Sequence, residues 1–160
     1  MKKFLLTIIA TILMAGSISA QNVARKCVLV EAFTGINCGY CPAAAGGIGE
    51  MVRQGLSVAP LAFHCDYYTP DDKDYSTSET ESRGSSFYKV RSYPTVIIDG
   101  VSSPAVGGTA SQYMSSYTKL KAEYDKRINV ESPFELELTF EYDSWNKCRA
   151  KAVVKKVGEC

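Results

Sequence analysis

Apolar positions in this chain fall into short runs separated by polar or glycine-bearing turns. Over the first 130 residues the runs alternate between strand-like and helix-like periods. Val28–Phe33 (VLVEAF) is an apolar run of strand length broken only by Glu31, and reads as a buried strand. Thr34–Asn37 reads as a turn. Cys38-Gly39-Tyr40-Cys41-Pro42 follows, and Ala43–Gln54 reads as a helix. Pro42 suits a first helical turn, where its missing N–H costs little. Gly46, Gly47 and Gly49 weaken that helix by about 1 kcal/mol each, unless their small size serves close packing on the sheet. Val58–Phe63 (VAPLAF) is a second strand, completing a β-α-β unit. Asp66–Ser78 is polar and tyrosine-rich, a surface excursion. Glu79–Val90 reads as a helix weakened by Gly84. Tyr93–Gly100 is a third strand ending in a turn, and Val101–Gly108, rich in small residues, has room for a short strand. Ser111–Arg127 reads as a helix whose Tyr113, Tyr117, Leu120 and Tyr124 recur at i, i+4, i+7 and i+11.

The tail changes period. Phe134, Leu136, Leu138, Phe140 and Tyr142 alternate with Glu135, Glu137, Thr139 and Glu141, the period-2 pattern of a half-buried strand, and Arg149–Val157 is its candidate partner. A turn at Ser144–Asn146 sets Glu141 opposite Arg149, Glu135 opposite Lys155, and Leu138 opposite Ala152. A slip of one residue would mix the two faces, so the register is well specified. One hairpin cannot bury its own apolar face. It either docks on the preceding domain or opens a second β-domain, and the second alternative is favoured.

The N-terminus changes the compartment. Met1-Lys2-Lys3 precedes the uncharged, mostly apolar Phe4–Gly16, and Ser17–Ala20 supplies small residues before Gln21. This is the layout of a secretory signal peptide cut after Ala20, too short in its apolar part for the ~20 residues of a membrane span. The expected division is 1–20 signal peptide, 21–130 α/β domain, and 131–160 hairpin or truncated β-domain. No transmembrane helix is expected after cleavage. The 160 residues carry 18 Lys+Arg and 17 Asp+Glu; removing Lys2 and Lys3 leaves 16 against 17. Such a balance offers no general attraction to nucleic acid or anionic lipid. The hydrophobic share of 46% is that of a globular chain. Six cysteines are too few to replace a core by disulfides, but export allows bridges to persist.

The candidate chemistry lies in Cys38-x-x-Cys41 between a strand and a helix, with Pro94 opening a later strand. Two intervening residues bring both sulfurs within disulfide range on a first helical turn. The helix N-terminus favours a thiolate, which makes the first sulfur a nucleophile and a good leaving group. The second, less exposed sulfur resolves the mixed disulfide.

Val28–Phe33, Cys38-Gly39-Tyr40-Cys41-Pro42 and Tyr93-Pro94-Thr95 together resemble the thioredoxin superfamily. More closely, Val28–Gly35, Cys-x-x-Cys-Pro-Ala and Tyr-Pro-Thr look like the Omp-twenty-eight-related outer membrane proteins of Bacteroidetes. Those carry a thioredoxin-like domain followed by immunoglobulin-like β-domains. The resemblance covers about residues 27–130, with the 134–157 hairpin matching the start of the β-region. It implies a thioredoxin-like α/β fold with a central mixed sheet flanked by helices. It also implies Cys38 as attacking and Cys41 as resolving cysteine, and a cis Pro94 lying against the pair. Gly39, Tyr40 and Tyr93 would line the substrate groove, and Glu31 is the nearest candidate for a buried proton relay. Two departures stand out. Thr34–Asn37 makes the connection about one residue longer than is usual, and Asn37 replaces the aromatic that often precedes the first cysteine. Gly39-Tyr40 brings no cation, so a moderate potential is expected, with the direction of exchange left open.

The expected function is thiol–disulfide exchange on exported protein thiols or with a partner oxidoreductase, in the periplasm or cell envelope and in the vicinity of the outer membrane. The rival is a cell-envelope binding or adhesion protein whose Cys38–Cys41 bond is inert; a metal or haem carrier is a weaker third. No cofactor is implied, since the cysteine pair is itself the redox centre. A zinc site would need two further ligands. His64 is the only histidine, and it neighbours Cys65 on a strand, where adjacent side chains point to opposite faces. Cys148 and Cys160 could pair locally, whereas Cys27 and Cys65 should lie at opposite ends of neighbouring parallel strands. Tyr67, Tyr68, Tyr75, Tyr88 and Tyr93 could line a peptide groove but more often such residues cover a core edge.

Overall fold

The computed structural model describes residues 21–65, 75–143 and 147–159. Residues 1–20, on which the expected signal peptide falls, Tyr67, Tyr68, residues 144–146 and Cys160 lie outside the described residues. The chain divides into two compact units, one spanning Ala24–Val130 and one containing the C-terminal hairpin. Among the described residues no helix is long and apolar enough to cross a membrane.

In the first unit, β1 (Val28–Thr34) leads through α1 (Cys41–Arg53) to β2 (Val58–His64), then to a single helical turn α2 (Ser78–Glu81) continued by a π-helical turn (Ser82–Phe87). β3 (Thr95–Ile98) and α3 (Tyr113–Arg127) complete it. The sheet order is β2-β1-β3, with β1 parallel to β2 and antiparallel to β3. This is the mixed α/β architecture expected from the sequence. β1 is central and apolar almost throughout because both of its faces are covered. β2 lies at an edge, where Pro60 can occupy a strand without removing a ladder hydrogen bond.

Strand alternation splits the core in two. Val28 and Val30, with Val96 and Ile98, pack against Ala44 and Met51 of α1 and against Leu120 and Tyr124 of α3. Phe33 and Ile97 point the other way, toward Phe63, Cys65, Tyr88, Val90 and Tyr93. Phe33 stacks on its cross-strand neighbour Phe63 at 5.2 Å and meets the Tyr88 edge at 5.7 Å. Tyr88 and Tyr93 thus cover a core edge, while Tyr75 is exposed.

Gly46 and Gly47 of α1 serve close packing, but on a helix and not on the sheet, whereas Gly49 meets only the Arg53 side chain at 3.5 Å. A Cβ at Gly46 would lie 2.6 Å from the Tyr113 Cβ, and one at Gly47 would lie 2.8 Å from the Tyr117 nitrogen. Both contacts belong to α3, which therefore lies directly against the α1 backbone. The helix expected over 79–90 is shorter. It widens into a π turn at Ser82–Phe87 and is closed by Lys89 at φ 58°. Gly84 sits there because a Cβ would press on Phe33 at 3.2 Å and the Cys65 sulfur at 3.4 Å. Residues 101–108 form no strand. After the turn at Asp99 and Gly100, both at positive φ, only an isolated bridge joins Ile98 to Ser102. The Asp99 carboxylate accepts the Leu29 N–H at 2.9 Å and pairs with Arg25 at 3.0 Å and Arg127 at 3.1 Å. It ties three segments that are distant in sequence.

In the second unit, β4 (Phe134–Tyr142) pairs antiparallel with β5 (Cys148–Lys156) in the expected register, Leu138 opposite Ala152 and Glu141 opposite Arg149. Every residue of both strands is exposed, the apolar face included.

A candidate redox site at the start of helix α1

β1 ends at Thr34, and a short turn, held by the Cys38 N–H donating to the Gly35 carbonyl at 3.3 Å, delivers Cys38 to the amino end of α1. Cys38 and Cys41 form a disulfide with Cα atoms 5.4 Å apart. The two sulfurs are not equivalent. Cys38 is half-buried, whereas Cys41, the first residue of the helix, is 7% exposed. An outer and an inner sulfur are what sequential attack and resolution require.

Of the other residues singled out from the sequence, Tyr40 stands in solvent at 70% exposure, and a Cβ at Gly39 would meet nothing within 4 Å. Both present open surface between the cysteines. The Tyr93–Pro94 peptide bond is cis. Pro94 and Cys41 line one cavity of about 440 Å³, walled by Ala44, Ala45, Ile48 and Val52 of α1 and by Pro60, Leu61 and Ala62 of β2. Its lining carries no charged residue. The Tyr93 side chain packs with the Phe33–Ile97 cluster, so Tyr93 contributes backbone position more than side chain to the Pro94 surroundings.

Glu31 is not brought to the pair. It occupies the β1 face that carries Phe33, opposite the face covered by α1. There it is completely buried, paired with the Arg83 guanidinium, and accepts the Tyr88 hydroxyl at 2.6 Å. The Arg83 Nη2 reaches the Tyr88 hydroxyl at 3.3 Å, and the guanidinium lies over the Phe63, Phe87 and Tyr88 rings. The hydrogen bond to Glu31 holds Arg83 even more firmly protonated than usual. Burial, then the Glu31 bond, pushes the Tyr88 phenol up.

Two groups escaped sequence reasoning. Gly107 and Gly108, read as part of a short strand, instead form a loop that closes on the site. The Gly108 N–H donates to the Tyr40 carbonyl at 2.8 Å, and the Gly108 carbonyl accepts the Ala43 N–H at 3.1 Å. Gly107, at φ 138°, lies so close that a Cβ would meet the Pro94 ring at 3.0 Å. Adjacent glycines just before a helix were the available signal. Arg83 and Tyr88, the partners of Glu31, left none, because 52 and 57 residues separate them from it.

Cys27 precedes β1 and Cys65 follows β2, so the parallel pairing sets them at opposite ends, as expected. Cys65 is buried beneath Gly84, whereas the His64 ring lies 5.7 Å from Tyr75. Cys27 and Cys148 are exposed. No group of three or more metal-ligating side chains occurs among the described residues.

Neither a protein-family model nor a curated protein matches this sequence. Among solved structures, it is similar to a structural-genomics protein of Agrobacterium tumefaciens, at 20% identity and a TM-score of 0.47, over 78% of this chain and 55% of that one. It is also similar to HBP35 of Porphyromonas gingivalis, at 19% identity and a TM-score of 0.54, over 85% of this chain and 44% of that one. The chain spans about half the length of these structures. At such identity the likeness to HBP35 is one of fold, and with the strand–Cys-x-x-Cys–helix junction it supports a thioredoxin-like α/β arrangement for this chain.

Proposed function

We propose that this protein is an exported thiol–disulfide exchange protein of the periplasm or cell envelope. Its substrates are protein thiols and disulfides, or the cysteine pair of a partner oxidoreductase. The observation that carries this reading is the Cys38–Cys41 disulfide at the amino end of α1, with its outer sulfur half-buried and its inner one nearly inaccessible. In the oxidising direction, a substrate thiolate attacks Cys38, the Cys41 thiolate leaves, and a second substrate thiolate releases Cys38. In the reducing direction the same steps run backwards. Gly39, Tyr40 and the Pro94 segment form the surface on which the substrate backbone lies. The signal-like residues 1–20 support export, and the sequence resemblance to Omp-twenty-eight-related proteins supports the envelope and reads β4–β5 as the opening of an immunoglobulin-like domain.

The rival reading, an envelope-binding scaffold with an inert disulfide, draws on the exposed apolar face of β4–β5. Substitution separates the two. Under the exchange reading, Cys38→Ser abolishes reduction of a model protein disulfide, and Cys41→Ser accumulates a mixed disulfide through Cys38. Unchanged partner binding with no exchange by the wild-type protein would move the assignment to the scaffold.

A further inference from the structure

β4 and β5 sort their side chains onto two faces of different character. Residues directly opposite in an antiparallel pair share a face. One face sets Glu135 against Lys155, Thr139 against Lys151 and Glu141 against Arg149, and suits water. The other carries Phe134, Leu136, Leu138, Phe140 and Tyr142 along β4, opposite Lys156, Val154, Ala152, Ala150 and Cys148 along β5. That face has a bulky lane and, beside it, a lane of mostly small residues.

Its six large apolar side chains are each between 43% and 73% exposed. Since an aromatic side chain presents about 150–250 Å², exposure on that scale leaves roughly 700 Å² of apolar surface in water. The largest apolar patch of a monomer is about 300–600 Å², and larger ones mark interaction sites. A two-stranded hairpin with such a face bare is marginally stable at best. What covers it must be a second apolar layer about 10 Å away, as in a sandwich of two sheets.

A second copy of the same hairpin meets that need. Face to face about a two-fold axis parallel to the strands, β4 of one copy lies over β5 of the other, and the reverse. Bulky then meets small in both lanes: Leu138 over the partner's Ala152, Phe140 over the partner's Ala150, and Leu136 over the partner's Val154. A two-fold axis across the strands would stack bulky on bulky. The contact is isologous and closes at two copies. At one end the Lys156 stem covers the partner's Phe134 while its ammonium stays at the wet rim. Two copies together bury roughly 1,400 Å², within the range of about 1,200–2,000 Å² for stable specific interfaces. Lys156 is the only charged residue of the face and lies at its margin, so nothing within the lanes selects a partner of opposite charge.

We propose that this protein is a homodimer in which the apolar faces of two β4–β5 hairpins pack together, the bulky β4 lane of each over the small β5 lane of the other. The inference goes beyond the exchange reading and does not depend on it.

The test is sedimentation equilibrium of the exported protein from low to high micromolar concentration. Reductant is present, so that the exposed Cys27 and Cys148 cannot link copies covalently. The expected mass is that of two chains at the upper end, falling toward one on dilution. A single-chain mass throughout overturns the proposal and gives the face to another occupant, the preceding unit or a different protein. Ala152→Phe fills the small lane with a residue that favours strands, and should weaken association about tenfold or more. Thr139→Val, on the opposite face, should leave it unchanged. Dimerisation of Ala152→Phe at wild-type strength overturns the arrangement. Leu138→Glu and Ala152→Lys should each be monomeric alone. Mixed, they should form a heterodimer, because the introduced carboxylate of one copy then faces the introduced ammonium of the other, while the second contact keeps its native leucine and alanine. A mixture that stays monomeric overturns the register.

Discussion

Arg83→Leu should be among the most destabilising single changes available on the surface of this protein. Its partner Glu31 is completely buried, so the substitution leaves a carboxylate inside the sheet with the Tyr88 hydroxyl at 2.6 Å as its remaining described donor. Breaking a buried ion pair from one side costs about 3–5 kcal/mol. The Arg83 side chain is 38% exposed, so water already screens part of the attraction, and the lower end applies. The lost contacts with the Phe63, Phe87 and Tyr88 rings add about 0.5 kcal/mol. The expected loss is about 3 kcal/mol, or about 12 °C in Tm for a unit of this size. Urea titration followed by circular dichroism measures it. The double variant Glu31→Leu/Arg83→Leu removes the stranded charge and should recover to within about 1 kcal/mol of wild type. An Arg83→Leu loss below about 1 kcal/mol, or a double variant no better than the sum of the singles, would refute the reasoning. Glu31→Gln should also leave the pH dependence of Cys38 alkylation unchanged, because Glu31 faces away from α1.

Asp99→Ala should cost about 3 kcal/mol in the same titration, since it strands the Leu29 N–H, frees Arg25 and Arg127, and places alanine at φ 50°. Gly47→Ala should cost about 1–3 kcal/mol, because its Cβ would sit 2.8 Å from the Tyr117 backbone nitrogen, whereas Gly39→Ala, with open space around it, should fold as well as wild type. Tyr88 should ionise after the exposed tyrosines in an absorbance titration at 295 nm. Its folded pKa lies above the unfolded 10.0, so its contribution to stability is complete below about pH 10 and is lost as pH rises through the folded value. Urea midpoints above pH 10 should therefore fall more steeply for wild type than for Tyr88→Phe.

These predictions separate what was legible in the sequence from what was not. The three strands, α1, α3 and the hairpin register were all readable, because each is a local periodicity whose buried face is set by its own residues. The cysteine pair was readable for the same reason: its chemistry depends on a spacing of three and on the strand and helix that flank it. Glu31 could be found as an acid in an apolar run, but its orientation could not be read from a relay precedent. Strand alternation decides it: Val30 and Ala32 face α1, so Glu31 cannot, and it needs a counter-charge on the other side of the sheet. That charge comes from a π-helical turn with no sequence signature of its own. The glycines make the same point. Gly46 and Gly47 read locally as a defect in α1, and their purpose appears only when α3 arrives 67–70 residues later at Tyr113, Ser116 and Tyr117. Gly107 and Gly108 read as a weak strand because the surfaces they touch, the Pro94 ring and the Tyr40 carbonyl, come from two other segments of chain. The cysteine pair is therefore written in one short stretch of sequence, while the groups that close on it, the Pro94 ring and the Gly107–Gly108 loop, come from two other stretches more than 50 residues further along.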